Sequence, residues 1–390
     1  MPAPSGRRLS ASLTLLALLS ARLALTQDAL PTAPSEPGPS PSTQDGDALV
    51  ELGRLQTELT EFDAAQASYL AGIERLVEEH GEFSPTLIEP YTGLARAYLL
   101  NEQPLEAVTI IEQARHISQR NFGLLNVDQA ALLDELSRAY LLMGDTAEAQ
   151  NIQRERLTLA QRRFGRGDPR VIPFHNQLAD YYDLSRMRVH AREQYEAALA
   201  IQRENFGEDD GRLLVPLSEL LRIDILLGGS GSARRRLAQV LESSENATPI
   251  EVANALAALG DWEQARRRKE AAVEYYRDAY ATLHVEDPYI AAEYFAAPRF
   301  IDFVPPPSPV DRRGNREPYA WGSIVARFRV AADGTAADVA VVAANPAGLM
   351  DSRYVERLAA AIYRPRLLDG EPTDTAAVTF SHEFRYFLEE

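Results

Sequence analysis

The sequence contains no cysteine, which excludes disulfide bonds, cysteine-ligated zinc, iron–sulfur clusters, thiol catalysis and a lipoprotein-type N-terminal cysteine. It also has no excess of basic residues. The formal net charge is −17 over 390 residues, whereas nucleic-acid binding requires a basic surface. Two short arginine-rich runs, at residues 234–236 and 266–269, lie in helix-like segments and are interpreted as solvated helix faces. No nucleic-acid partner is expected.

Signatures of catalysis are missing too. None of the six histidines has the His-Glu-x-x-His spacing or another metal-ligand spacing. Residues 228–232 are glycine-rich but lack the Gly-Lys-Ser/Thr of a phosphate-binding loop, and no Gly-x-Ser-x-Gly nucleophile motif occurs. His175 and His382 lie on apolar faces and are interpreted as core residues. We therefore expect a non-enzymatic protein without metal or cofactor, and an enzyme that uses carboxylate chemistry is the remaining alternative.

Only one stretch near the N-terminus is apolar and uncharged, at residues 9–21, and Arg7 and Arg8 precede it. This length is typical of a secretory signal and is short for a membrane span. We predict a signal peptide over residues 1–26. An uncleaved inner-membrane anchor is the alternative if Arg22 extends to the membrane surface. Residues 27–46 are rich in proline and serine and should form an extended linker.

The sequence then repeats itself every 42 residues, and each unit carries the pattern of two helices. Glycines that can end a helix are followed three residues later by side chains that cap the next one: Gly81 and Ser84, Gly123 and Asn126, Gly165 and Asp168, Gly207 and Asp210. Leucine and tyrosine keep a fixed position in the first helix of each unit, at Leu94, Leu136, Leu178 and Leu220 and at Tyr98, Tyr140 and Tyr182. Alanine does so in the second, at Ala107, Ala149, Ala191 and Ala233. A helical hairpin leaves one face uncovered, so successive hairpins should stack.

This pattern resembles the tetratricopeptide repeat in the 42-residue spacing of kinesin light chain-like arrays. The paired small residues, such as Ala107 with Ala114, and the Leu-x-x-x-Tyr of the first helix carry the resemblance. It spans about residues 47–284 and implies an α-solenoid that binds proteins or peptides. The sequence departs from the pattern at Arg156, at Asp224 and in the link at residues 228–232.

The two ends of the array are less regular than its centre. A first hairpin is predicted over residues 47–79. Near the other end, Gly260 and Asp261 resemble the turn at Gly144 in an earlier unit. We therefore predict a turn there, followed by an overlong last helix over residues 262–284 that leads into the next domain.

The C-terminal part has a different pattern. A proline-rich connector is predicted over residues 285–320, and residues 321–390 alternate apolar and polar side chains in segments separated by turns. Residues 324–330 form the first such segment, Asp333 and Gly334 form a hairpin turn, and Val339 and Val341 continue a second strand. Asp351 can start an amphipathic helix, and residues 378–388 form the last strand. The predicted fold class is α+β multidomain, an α-solenoid of helical hairpins followed by a small β-β-α-β domain.

Several short motifs in this part resemble, in their order, the C-terminal domain of TonB-family energy transducers: Gly322 before Phe328-x-Val330, Asp333-Gly334, Asp338-Val339, Tyr363-Arg364-Pro365 and Asp369-Gly370-Glu371-Pro372. The resemblance covers about residues 296–390. It implies a periplasmic domain that adds a strand to a segment of an outer-membrane transporter, in energy-coupled transport. An open sheet edge provides the unpaired backbone groups for such binding. The last strand is the implied edge, with Thr379, Ser381, Glu383, Arg385 and Phe387 as candidate partner-binding residues.

A second candidate site lies on the first helices of the repeats. Successive units carry a charged residue at one shared position, namely Arg54, Arg96, Arg138, Asp180 and Arg222. Asn176 lies one helical turn before Asp180. Aligned arginines could bind a carboxylate or an acidic peptide. The alternative is a row of exposed salt-bridge residues.

These patterns together predict a periplasmic, TonB-related adaptor that binds envelope proteins through its repeats and its sheet edge, with an outer-membrane transporter as one partner. The alternative is a structural scaffold whose β-domain only caps the array or mediates self-association. Membrane contact is expected only through an uncleaved N-terminus.

Overall fold

A computed structural model describes residues 45–243, 246–309 and 319–387. The predicted signal peptide or anchor, and nearly all of the predicted linker, lie outside the described residues. Residues 45–390 cluster into one compact unit. Within the described part, no helix is both long and apolar enough to cross a membrane.

Twelve of the described helices pair into six consecutive hairpins. Their bounds are α1 Gly46–Glu58 with α2 Phe62–His80, α3 Ile88–Leu100 with α4 Pro104–Phe122, α5 Gln129–Leu142 with α6 Thr146–Phe164, α7 Ile172–Leu184 with α8 Arg188–Phe206, α9 Leu214–Leu227 with α10 Ser232–Ser243, and α11 Pro249–Ala265 with α12 Lys269–Glu286. The chain is therefore mainly a helical solenoid.

The connections between hairpins follow from the residues that repeat. The glycines that end the second helices have positive φ angles between 84° and 100°, a region that glycine adopts without steric cost. Three residues later, Ser84, Asp168 and Asp210 accept hydrogen bonds from the backbone N–H two residues on, which starts a single helical turn before the next first helix. The same short sequence thus ends one hairpin and begins the next.

Contact between hairpins depends on the residues in fixed register. Ala107, Ala149 and Ala191 are completely buried, as the close crossing of two helices requires. Leucines and tyrosines of the first helices fill the space beside them, and Tyr140 packs against two successive core clusters. Burial of this continuous core is what holds the repeats together.

The last hairpin corrects the prediction for the end of the array. The turn lies at residues 266–268, between α11 and α12, and not at Gly260, which lies inside α11. A Cβ atom on Gly260 would come within 2.4 Å of the Tyr276 ring. The glycine therefore permits a close approach of α12 to α11, a role that the sequence pattern does not distinguish from a turn.

A small sheet region follows the array. Its long strands are β2 Tyr319–Val330, β3 Ala336–Asn345 and β7 Thr375–Phe387, and α14 Asp351–Ala360 lies between β3 and β7. The three strands are antiparallel in the order β3-β2-β7. Shorter strands, which the sequence analysis did not predict, are β1 Arg299–Asp302, β4 Ile362–Arg364, β5 Arg366–Leu368 and β6 Glu371–Thr373.

The proline-rich connector contains regular structure that the sequence analysis missed. Helix α13 spans Pro288–Tyr294, and Asp287 caps it by accepting a hydrogen bond from the Tyr289 N–H at 2.8 Å. Strand β1 pairs with β4, which follows α14. Pairing partners so distant in sequence give no local signal, so only the tertiary structure shows this strand.

Candidate functional site

The second helix of each hairpin carries an alanine at a fixed position, such as Ala107, Ala149 or Ala191, which we call the register alanine. One position of the first helices lies eleven residues before it. It holds Arg54, Arg96, Arg138, Asp180, Arg222 and, in the last hairpin, Asp261. We call these six residues the register face. The first five were predicted from sequence, whereas Asp261 was missed because it was assigned to a turn.

The predicted arginines are all ion-paired with carboxylates of the array. Arg54 pairs with Glu51 and Glu58 of its own helix. Arg96 Nη2 lies 2.9 Å from the buried Glu135 on the next first helix. Arg138 is looser, because its closest carboxylate oxygen, on Glu135, is 3.7 Å away. These pairs are the arrangement that the salt-bridge alternative expects, and ligand binding by this face stays a prediction.

The two aspartates of the register face bind tyrosines. The Tyr195 hydroxyl donates to Asp180, and the Tyr276 hydroxyl donates to Asp261 Oδ1 at 2.9 Å. Burial and the neighbouring carboxylate raise the pKa of each tyrosine well above its usual value. Asn176, the remaining predicted groove residue, has a buried Oδ1 without a hydrogen-bond partner among the described residues.

Arg156 shows how the array accommodates a departure from its repeat. It takes the position that Ala114 and Ala198 hold in the neighbouring hairpins, and it is 7% exposed. Its guanidinium donates to Asp134 at 2.9 Å, to Gln153 at 2.7 Å and to Gln177 at 2.9 Å. Burial lowers the pKa of Arg156, and the Asp134 charge opposes this shift. The charge is paired within the stack, and its partner Asp134 also lies 3.9 Å from Arg138 of the register face.

The C-terminal part covers one end of the register face. A cavity of about 510 Å³ is lined by first-helix residues of the last three hairpins and, from the other side, by Phe300, Phe303 and Pro305. Arg222 lines it and pairs with Asp183 at 2.7 Å. Burial acts to lower the pKa of Arg222, but the Glu219 and Asp183 carboxylates outweigh it and raise this pKa. Arg54, Arg96, Arg138 and Asp180 are exposed, whereas Arg222 and Asp261 are partly covered.

Arg364 of β4 is the main polar contact between the sheet region and the array. It is 6% exposed, and its Nε and Nη2 donate to the two carboxylate oxygens of Asp261 at 2.8 and 2.5 Å. Its Nη1 donates to the Tyr294 hydroxyl at 3.3 Å. Burial acts to lower the pKa of Arg364, but Asp261 outweighs it and raises this pKa. A bidentate, buried arginine–carboxylate pair fixes the orientation of both side chains.

Other contacts extend this junction. Gln264 Nε2 donates to the Asp333 carbonyl at 2.7 Å, and Lys269 Nζ lies 2.6 Å from the Asp333 carboxylate. Hydrogen bonds from Lys269 and Thr335 lower the pKa of Asp333 to about 2. Leu367 of β5 packs in the same hydrophobic cluster as the aromatic side chains of the last hairpin. The sheet region and the array therefore share a core.

Strand β7 lies at one edge of the three-stranded sheet, with β3 at the other. Among the described strands it pairs only with β2. Four predicted partner-binding residues are exposed, namely Thr379, Ser381, Glu383 and Arg385, and Arg385 lies over the Trp321 ring. The side chain of the fifth, Phe387, lies outside the described part. Partner binding by this edge stays a prediction.

Of the two histidines interpreted as core residues, His175 is buried and His382 is half-buried. His175 is 6% exposed, its Nδ1 lies 2.9 Å from Gln194 Oε1, and burial lowers its pKa. His382 lies against the Tyr354 and Phe380 rings. In the described ranges, no group of three or more histidine, aspartate or glutamate side chains is placed to hold a metal ion.

Residues 87–162 match the tetratricopeptide repeat family model. No curated protein matches the chain. Among solved structures, a putative kinesin light chain with nearly identical TPR-like repeats from Podosopora anserina is 23% identical, with a TM-score of 0.41 over 51% of this chain and 95% of that one. BtubC from P. vanneervenii is 16% identical, with a TM-score of 0.45 over 62% of this chain and 93% of that one.

A Rap protein complexed with Competence and Sporulation Factor is 15% identical, with a TM-score of 0.36 over 65% of this chain and 75% of that one. The family match itself covers the second and third hairpins and does not reach the sheet region.

Proposed function

We propose that this chain is a non-enzymatic adaptor that binds extended protein segments on its register face and a further partner at the edge strand β7. Its location in this proposal is the periplasm, and the TonB-like motifs support an outer-membrane transporter as the partner of β7. The proposal rests first on the tetratricopeptide array, since such stacked hairpins present long surfaces to proteins and peptides.

One observation carries the proposal: the chain already covers part of the register face with its own C-terminal segment. Residues 299–305 and Arg364 lie on the first helices of the last two hairpins, where a bidentate ion pair and aromatic side chains make the contact. The same face is exposed on the first four hairpins. An extended segment with charged and aromatic side chains from another protein can use the same kinds of contact there.

A second function is favoured by the shared core at the junction. Leu367 is buried among residues of the last hairpin, and Arg364 is buried against Asp261. A sheet region held in this way closes the end of the array. In other repeat proteins a terminal repeat with a polar outer face closes it. In this alternative, the sheet caps a scaffold or mediates self-association and binds no transporter.

Crosslinking in the cell envelope, followed by mass spectrometry, tests the adaptor proposal. The full chain should crosslink to envelope proteins, and Arg138→Glu should reduce this crosslinking because Arg138 is exposed and only loosely paired. Arg75→Glu on α2 is the matched control, since Arg75 is also partly exposed and paired but lies on a second helix. Equal crosslinking by both variants would remove the register face from the proposal.

Edge-strand binding needs its own variants. Ser381→Lys with Glu383→Lys should prevent pairing at β7, because lysines blunt a sheet edge. Ala340→Lys with Val342→Lys places the same charges on exposed positions of the other edge, β3. Loss of a transporter crosslink in the β7 variant alone supports strand addition. Transporter crosslinks that persist in the β7 variant, or none in the wild type, favour the capping function.

A further inference from the structure

The fifth hairpin has an aspartate where three earlier hairpins have tyrosine. Tyr98, Tyr140 and Tyr182 each follow the register leucine by four residues, and Asp224 follows Leu220 by the same interval. The backbone is equivalent at all four positions, because each carbonyl accepts a hydrogen bond from the N–H five residues on, at 2.7–2.9 Å. The substitution therefore changes the side chain and not the path of the first helix.

In those three hairpins the tyrosine ring fills space between neighbouring helices. Tyr140 bridges two core clusters, and Tyr182 is 4% exposed. Around Asp224 there is instead a cavity of about 500 Å³ with Leu199, Leu217 and Ala233 among its walls. Cavities of this volume are typical of small-molecule sites.

The connection that follows also differs. Helices α4, α6 and α8 begin three residues before the register alanine, whereas α10 begins at Ser232, one residue before Ala233. Gly229 lies in the longer link, where a Cβ atom would come within 2.6 Å of Asp224 Cγ. Residues 228–231 thus take the place of the first residues of the second helix beside the cavity, and they leave room for the Asp224 side chain.

Asp224 is a buried acceptor without a donor. It is 1% exposed, and neither carboxylate oxygen has a hydrogen-bond partner among the described residues. The nearest cation, Arg192 Nη1, lies 3.6 Å from Oδ1 and also serves Glu196 at 2.9 Å. Burial raises the pKa of Asp224, and Arg192 opposes this shift. Buried polar groups that lack partners are unusual, and a functional role is one explanation for them.

The charged groups around this acceptor favour an anion at the other end of the ligand. The cavity is lined by three arginines, Arg192, Arg235 and Arg236, and by only two carboxylates, those of Glu196 and Asp224. Arg192 and Arg236 are paired with carboxylates, whereas Arg235 has no ion pair among the described residues. A guanidinium in this position can bind a carboxylate.

We propose that this cavity binds a small hydroxyaryl carboxylate, whose hydroxyl donates to Asp224, whose ring lies between Leu199 and Leu217, and whose carboxylate pairs with Arg235. The ring takes the space that tyrosine occupies in the three preceding hairpins. This site is independent of the register face and of the edge strand.

Titration calorimetry on the full chain tests the proposal, with 4-hydroxyphenylacetate as the probe. We expect a Kd of about 1 mM or tighter for a ligand of this size. Phenylacetate, which lacks the hydroxyl, should bind about tenfold more weakly because Asp224 then stays without a donor. Tyramine, which replaces the carboxylate with an ammonium group, should bind more weakly as well.

Two variants locate the site. Asp224→Tyr restores the repeat residue and should abolish binding while raising the melting temperature. Arg235→Glu should weaken probe binding at least about tenfold with an unchanged circular dichroism spectrum, and it keeps the test decisive if Asp224→Tyr does not fold. Absence of probe binding to the folded wild type, unchanged affinity in Arg235→Glu, or tighter binding of tyramine than of the probe would each overturn the proposal.

Discussion

Replacement of Arg364 by methionine should destabilise the junction between the array and the sheet region. Methionine keeps much of the side-chain volume, so the substitution removes mainly the charge and its hydrogen bonds. Asp261 then loses both bonds from Arg364 and keeps only the bond from the Tyr276 hydroxyl among the described partners. The substitution thus leaves a largely buried carboxylate without its counter-ion.

The expected loss can be worked from the burial of the pair. Removing one partner of a buried ion pair costs about 3–5 kcal/mol of unfolding free energy. The Asp261 side chain keeps 18% of its accessible surface, and Tyr276 still donates to it. Both facts place the expected loss at the lower end, about 3 kcal/mol, a large fraction of the stability of a typical domain.

Urea unfolding followed by tryptophan fluorescence measures this loss separately on the two sides of the junction. The chain has two tryptophans, Trp262 in α11 and Trp321 in β2. In a Trp321→Phe background the signal reports the last hairpin alone. The urea midpoint should fall in Arg364→Met both with the two tryptophans present and in the Trp321→Phe background, because the two parts share a core at Leu367.

Arg277→Gln is the matched control, because Arg277 also joins the array to the sheet region but pairs with Glu371 at the surface. Its loss should be small, as for other exposed ion pairs. Combining Asp261→Asn with Arg364→Met should cost less than the sum of the single losses, by about 0.5–3 kcal/mol. The reasoning is refuted if Arg364→Met destabilises no more than Arg277→Gln, or if the two single losses add.

Three further predictions concern single positions in the array. Gly260→Ala should destabilise by about 1–3 kcal/mol in urea titrations because its Cβ would overlap the Tyr276 ring, whereas Gly167→Ala meets no atom within 4 Å and should cost nothing. Equal midpoints for these two variants would contradict the close-approach role. Thr248→Ala removes a capping box at the start of α11 and should lower the free energy of unfolding by about 1 kcal/mol in the same assay. An unchanged urea midpoint would contradict this prediction. Burial lowers the pKa of His175 below 6.5, so the stability of the wild type should fall as the pH drops below 6.5. This fall should be steeper than in His175→Gln. If the melting temperatures of the two proteins fall in parallel between pH 7.5 and pH 5.0, the prediction is refuted.

The period of the sequence was sufficient to predict the helical array. Capping residues and left-handed glycines act within a few residues of chain, so they mark each hairpin boundary wherever the rest of the fold lies. The same local signals failed at Gly260, since a glycine in a turn and a glycine under a tyrosine ring look alike in sequence. They also missed β1, whose pairing partner β4 lies beyond the whole sheet hairpin and α14.

The sequence by itself thus determined the repeating hairpins, the charged residues of their first helices and the turn-rich pattern of the C-terminal part, because these depend on neighbours along the chain. Only the tertiary structure decided that Arg364 reaches Asp261 and that the C-terminal segment covers one end of the register face. It also decided that Asp224 lies unpaired beside a cavity where earlier hairpins hold a tyrosine. Each of these contacts joins residues whose burial and charge pairing depend on how distant segments pack.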